Sequence, residues 1–180
     1  MLQLVNQENL FNEKNLKNIE FIEYDNYKED FILVEKETFD HFEMLKAHLK
    51  IDNIIIDIKD AYRSLEKQES ILLDKIKRYG LEKAIELEDM PGTSDYHTGY
   101  SVYIAIYDKE NWIDTEEELL KREKIFKKIH KALPYFGFIV RFPKNKDSIT
   151  NHKYEPWHIR YVGEDIAKEI GNKTLEEYLS

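Results

Sequence analysis

Two short stretches carry the residue types that do chemistry. Glu155-Pro156-Trp157-His158 sets a carboxylate and an imidazole three residues apart. Upstream, Ser94-Asp95-Tyr96-His97-Thr98-Gly99-Tyr100-Ser101-Val102-Tyr103 gathers a serine, a histidine and tyrosines around a Thr-Gly turn. Carboxylates and imidazoles are the groups of proton transfer and metal ligation. The chain has no cysteine, so disulfides, thiolate metal sites and cysteine catalysis are excluded. Any metal must rest on His, Asp, Glu or Tyr. Arg63, taken alone, reads as an ion-pair partner of an acidic neighbour such as Asp60 or Glu155.

The 180 residues are read as a single domain spanning 1–180, long enough to bury a core. Hydrophobic residues at 42% and aromatics at 13% exclude disorder as a description of the whole. The net charge of −9 opposes binding to a phosphate backbone, so no nucleic-acid partner is expected. No stretch approaches the ~20 apolar residues of a membrane span, and residues 1–10 lack a signal-peptide core. The expectation is a cytoplasmic protein as written, or an extracytoplasmic one if an N-terminal anchor or signal was removed.

These residues need elements to position them. The first ~30 residues read as irregular. Phe39, Phe42, Leu45 and Leu49 have helical spacing, and Ile54-Ile55-Ile56 with Ile58 reads as a buried strand. Ser64 caps a predicted helix running to Tyr79, with Leu65, Leu72, Ile76 and Tyr79 on one face and Gly80 ending it. A short helix follows over 81–88, then a Met90-Pro91-Gly92-Thr93 turn. In the predicted strand 102–107, Val102, Ile104 and Ile106 face the core; Ser101, Tyr103 and Ala105 face the other side. Thr115 with Glu118 forms a capping-box pattern for a helix reaching Pro134, with Leu119, Phe126, Ile129 and Leu133 inward. Strands over 138–142 and 158–162, a helix over 164–170 and a Thr174/Glu177-capped turn complete the reading. The class is α+β: a small antiparallel sheet flanked by helices.

The ordered set of motifs resembles the VanY-type D-alanyl-D-alanine carboxypeptidases, zinc peptidases that trim the D-Ala-D-Ala end of peptidoglycan stem peptides. The matching segments are Leu4-Val5-Asn6, Ala61-Tyr62-Arg63-Ser64 with Gln68, Pro91-Gly92-Thr93-Ser94, Thr98-Gly99, Gly137 to Pro143, and Glu155 to Gly163. The resemblance implies the D,D-carboxypeptidase (hedgehog/VanY-like) fold. Its first zinc motif, Ser-x-His-x-x-Gly-x-Ala-x-Asp, falls on Ser94 to Tyr103. Tyr96 stands at the histidine ligand position and Tyr103 at the aspartate ligand position. The second motif, Glu-x-x-His, is intact. It implies Glu155 as general base and His158 as the one retained ligand. Arg63 would contact the substrate's carbonyl oxygen or terminal carboxylate, with Ser94 and Gln68 lining the same pocket.

One retained ligand is too few for a catalytic zinc, which takes three protein ligands and an open position. The leading expectation is a pseudoenzyme without a cofactor that keeps binding of a stem peptide or another peptide with a D-amino-acid terminus. Tyr96 and Tyr103 would fill the vacated volume and hydrogen-bond to Glu155 or His158. An alternative is an active zinc peptidase with a site rebuilt from His97 and His158, with His152 a further candidate; it needs a bulge between His97 and Gly99. A third is a regulatory interaction domain with a filled pocket. In the first and third readings His97 and His152 are exposed loop histidines.

Overall fold

The computed structural model describes residues 2–180. After a 3-10 turn over Glu13–Leu16 comes a hairpin, β1 (Phe21–Asp25) and β2 (Phe31–Glu35), paired antiparallel with Phe21 opposite Glu35. The sequence reading had left the first ~30 residues irregular. Their turn contains no glycine; Glu29 adopts a φ of 61° and Asn26 ties the loop by accepting from the amides of Lys28 and Asp30. A side-chain clamp thus replaces the usual turn signal.

Helix α1 (Lys36–Ile51) follows, with Glu35 accepting from the Glu37 and Thr38 amides at its N-terminus. Strand β3 (Ile55–Asp60) leads through Ala61–Arg63 into α2 (Leu65–Tyr79), capped by Ser64 Oγ on the Lys67 amide. Tyr79, expected on the inward face, is exposed, because the helix buries mainly Gln68 and Leu72. After α3 (Leu81–Leu87), a 3-10 turn over Asp95–Thr98 delivers the chain to β4 (Ser101–Asp108) and β5 (Asn111–Ile113).

The single helix expected from Thr115 to Pro134 is two, α4 (Glu116–Leu120) and α5 (Glu123–Ala132). Thr115 makes no side-chain cap bond. The break at Lys121-Arg122 frees Arg122 to pair with Asp108 at 2.8 Å. Leu119, Phe126, Ile129 and Leu133 are all buried as expected. The chain ends with β6 (Phe138–Phe142), α6 (Asp147–Thr150), β7 (Glu155–Tyr161), α7 (Glu164–Ile170) and α8 (Leu175–Leu179). A full capping box between Thr174 and Glu177 starts α8.

The main sheet is antiparallel in the order β3-β4-β7-β6, with β5 added beside β4. Its two faces differ by the period-2 alternation of strands. Ile56, Ile58, Val102, Ile104, Ile106 and Ile159 join Phe42 and Leu45 of α1 and Phe126 and Ile129 of α5 in one core. Each such side chain contributes roughly 1.5–3 kcal/mol on burial. The opposite face carries Ser101, Tyr103, His158 and Arg160, with Ser101 opposite Arg160 and Tyr103 opposite His158. This polar face is where the chemistry-bearing residues meet.

Candidate functional site

The turn before β4 decides what the site contains. Gly99 has a φ of +79°, and a Cβ there would stand 2.9 Å from the Phe21 ring, so the position admits only glycine without strain. The turn sends successive side chains in different directions. Asp95 goes under the sheet face, Tyr96 goes into the site, and His97 goes toward the Gly92 turn.

Tyr96 is 5% exposed. Its ring stacks on His158 at 4.3 Å between centroids, and the Arg63 guanidinium lies over it at 4.4 Å. The phenol oxygen is buried with no hydrogen-bond partner among the described residues. Burial pushes this phenol well above its ordinary value, with Arg63 opposing and Glu155 adding to the rise. Tyr103 is raised too, by burial and then by Glu116 and Glu155. Neither is a phenolate near neutrality. Tyr103 donates to the Asp114 carbonyl at 3.3 Å, stacks on Trp157 at 5.7 Å and carries the Lys59 ammonium over its ring at 4.3 Å. The expected hydrogen bonds from these tyrosines to Glu155 or His158 are therefore not made. Tyr96 meets His158 face to face, and Tyr103 points to the β5–α4 loop.

Glu155 and His158 come together at the start of β7, beside the register irregularity of its pairing with β6, with His158 Nδ1 3.0 Å from Glu155 Oε2. Burial would raise the Glu155 carboxyl, but His152 and His158 outweigh it and hold it down to about 2. His152 is not an exposed loop residue. It stacks on Phe142 at 3.9 Å, with Nε2 3.3 Å from Asp89 Oδ1 and Nδ1 3.8 Å from Glu155 Oε1. Burial opposes its protonation, yet Asp89 and Glu155 raise it to about 10. Near neutrality Glu155 is thus a carboxylate facing an imidazolium.

His97 is fully buried and turned away. Its Nε2 accepts from the Gly92 amide at 3.0 Å, which leaves Nδ1 to donate to the Arg63 carbonyl at 2.6 Å. Both ring nitrogens are spent on backbone, so His97 is a brace between two loops and not a substitute ligand. No bulge brings it to the site.

Arg63 is brought in as expected, but it is already engaged. Nε donates to Asp60 at 2.8 Å, and Nη1 donates to Glu88 at 2.9 Å and Gln68 at 3.1 Å. The ion pair with Asp60 foreseen for an isolated arginine is real; the one with Glu155 is not. Nη2 makes no hydrogen bond among the described residues. Gln68 is buried and spends both amide protons on Glu88 and the Asp89 carbonyl. Its side-chain oxygen accepts from Arg63 Nη1 and so helps to orient that guanidinium. Ser94 is buried beside the turn, its hydroxyl without a partner among the described residues.

Sequence reasoning passed over the charges beneath the site. Asp95 is 0% exposed on its side chain and accepts from Arg160 Nη1 at 2.6 Å and from the Ser101 hydroxyl, while Arg141 Nε stands 3.1 Å away as an ion-pair partner without hydrogen-bond geometry. Burial would raise Asp95, but Arg160 and Arg141 hold it well below the usual carboxylate range. Arg141 continues to Glu176 at 2.7 Å. The signal was available: two arginines on inward-facing positions of strands need an acid nearby.

These residues do not fit a zinc ion. Of the positions the motif provides for ligands, only His158 has an imidazole. The Tyr96 ring covers its face, and its Nε2 stands 3.7 Å from Asp95. Among the described residues no group of three His, Cys, Asp or Glu side chains could hold a metal.

The fold and the Glu155–His158 pair define a carboxypeptidase-family scaffold. The family model for VanY, D-alanyl-D-alanine carboxypeptidase, matches residues 32–164, and the chain belongs to that family. YodJ of Bacillus subtilis (strain 168) is 33% identical over 147 residues, covering 81% of this chain and 53% of that protein. A D-alanyl-D-alanine carboxypeptidase of Enterococcus faecalis is 30% identical over 145 residues, covering 73% and 50%. The chain thus spans about half the length of these relatives. A crystal structure of a vancomycin-resistance D,D-pentapeptidase VanY with Zn(II) superposes with a TM-score of 0.82 at 25% identity, over 99% of this chain and 98% of that one. VanYB in complex with D-alanine-D-alanine gives 0.81 at 25% identity, over 99% and 96%. Among the described residues no helix is long and apolar enough to cross a membrane.

Proposed function

We propose that this chain is a non-hydrolytic member of its family, without zinc, that binds the D-alanyl terminus of a peptidoglycan stem peptide. The observation that carries the reading is the Arg63–Tyr96–His158 stack. An aromatic ring stands where the family motif puts its first ligand, and it lies flat against the one ligand that remains. Glu155 adds to it. A general base works best when its pKa lies near the operating pH, whereas this carboxylate is held at about 2 between two imidazoles. An unactivated water, with a pKa near ~15.7, does not give its proton to such a group.

Binding is supported by what is left unpaired. Arg63 keeps Nη2 available, and a guanidinium edge matches a terminal carboxylate. The Ser94 hydroxyl is a second group in need of a partner. VanYB, with the same fold, is known in complex with D-alanine-D-alanine.

Metal analysis of untreated protein, paired with calorimetry on a D-Ala-D-Ala-ended pentapeptide, tests the reading. The expected result is substoichiometric zinc, no D-Ala release, and peptide binding that Arg63→Ala weakens by roughly tenfold, about 1.4 kcal/mol. Tightly bound stoichiometric zinc with D-Ala release would end it. The double change Tyr96→His with Tyr103→Asp is expected to restore zinc binding, because Glu155, His158 and the sheet that carries them are in place.

A further inference from the structure

The open edge of the main sheet is built to receive a strand. β6 ends the order β3-β4-β7-β6, and among the described residues no strand pairs with its outer side. Register fixes which backbone groups face out. The Tyr161 amide donates to Tyr100 and the Val162 amide donates to Gly137, both at 2.8 Å. Gly137 and Ile139 therefore turn their backbone groups toward β7, and the alternation turns those of Phe138 and Val140 outward.

A groove of about 540 Å³ lies along that edge. It is lined by Leu133 and Pro134 after α5, by Phe138 and Val140 of β6, and by Ala167 of α7. Pro143, which has no N–H to offer, closes the run. The docked segment must therefore be short.

Charge says what occupies it. The chain is acidic overall, at −9, yet residues 124–146 contain seven Lys and Arg and no Asp or Glu. Arg141 is consumed by buried ion pairs, which leaves six lysines. Lys144, Lys146 and Lys173 line the groove. Lys127 stands three residues before the groove-lining His130 on α5, on the same side of that helix. Lys131 and Lys173 form no salt bridge among the described residues, and Lys127 faces only Glu123, with which it makes no direct ion pair. Lys144 pairs with exposed Glu123 and Lys146 with half-buried Glu177, both at 2.7 Å, and such solvent-facing pairs exchange at little cost. A second copy would bring the same lysines to the same edge and be repelled.

We propose that the β6 edge docks a short, extended, acidic segment of a partner protein by strand addition. Its main chain pairs with Phe138 and Val140, its apolar side chains enter the groove, and its carboxylates meet the lysines. Main-chain bonds would supply affinity, and the groove and the charge would supply selectivity.

The probe is the peptide Glu-Val-Glu-Val-Glu-Val, titrated into the full chain and followed by amide NMR. Expected are shifts centred on Phe138 and Val140 and an affinity that falls at least ~10-fold when salt is raised from about 50 to about 300 mM. Lys127→Glu with Lys173→Glu should weaken binding by a similar factor with the fold retained by circular dichroism. A peptide N-methylated at alternate amides should not bind, and this control leaves the protein untouched. The proposal is overturned if those amides do not shift, if N-methylation has no effect, or if Lys-Val-Lys-Val-Lys-Val binds equally well. Shifts clustered at Arg63 and Tyr96 would overturn it as well, since they put the peptide on the other face of the molecule's chemistry.

Discussion

Asp95 and Tyr96 are neighbours in the chain and opposites in the structure. Asp95 is enclosed by Arg160, Arg141 and Ser101. Tyr96 is as deeply buried, yet its hydroxyl meets nothing among the described residues. The layer under the site is thus built of ion pairs, with Arg141 Nε held by charge alone, while the layer at the site leaves the buried hydroxyls of Tyr96 and Ser94 without a partner among the described residues. Burying a polar group without a partner costs free energy that selection for stability alone would remove. The support layer answers charge with charge, and the site layer leaves two buried hydroxyls without a protein partner among the described residues.

The largest effect should come from breaking the support. Asp95→Asn leaves two buried guanidiniums facing a neutral amide, and a loss on the order of 3–5 kcal/mol is expected in denaturant unfolding. A loss below about 1 kcal/mol would mean that Glu176 alone carries the network. His152→Gln tests the site layer through pH. His152 is raised from 6.5 to about 10 in the folded state, so its contribution is complete below pH 6.5 and is lost as pH rises through 10. The native protein should therefore lose stability across that window, on the order of 1–3 kcal/mol, and the variant should show a flatter profile. Glu155 works in the opposite direction. Its carboxyl is lowered from 4.5 to about 2, so its contribution holds above 4.5 and disappears as pH falls through 2. The smallest effect belongs to Tyr96→Phe. Removing a hydroxyl that makes no bond should change stability by less than about 0.5 kcal/mol, or raise it slightly. A loss above about 1 kcal/mol would show that the hydroxyl has a partner in solution.

Much of this was legible from sequence where local signals agree. Ser64 capping α2, the Thr174/Glu177 box and the split of Val102 and Ile104 from Ser101 and Tyr103 across the sheet follow from rules of short range. The positions of Arg63, Glu155 and His158 came from ordered motifs. What failed was of longer range or lacked its usual marker. The β1–β2 turn uses Asn26 in place of glycine. The pairing of Asp89 with His152 joins residues from opposite ends of the motif set. His97 was placed by proximity in sequence to a lost ligand. Its direction is set by the Gly92 amide and the Arg63 carbonyl, which no spacing rule reports.

The buried arginines also constrain when the molecule can finish folding. Arg160 donates to the Gln3 carbonyl and Arg141 to the Val5 carbonyl, while Glu176 closes the network from α8. Partners separated by 157 and 136 positions must meet before these charges are covered. During synthesis the network cannot close until residue 176 has emerged, so its arginines and Asp95 wait for their most distant partners. Contacts of such long range slow folding, because the loop between the partners must be closed before they reward it.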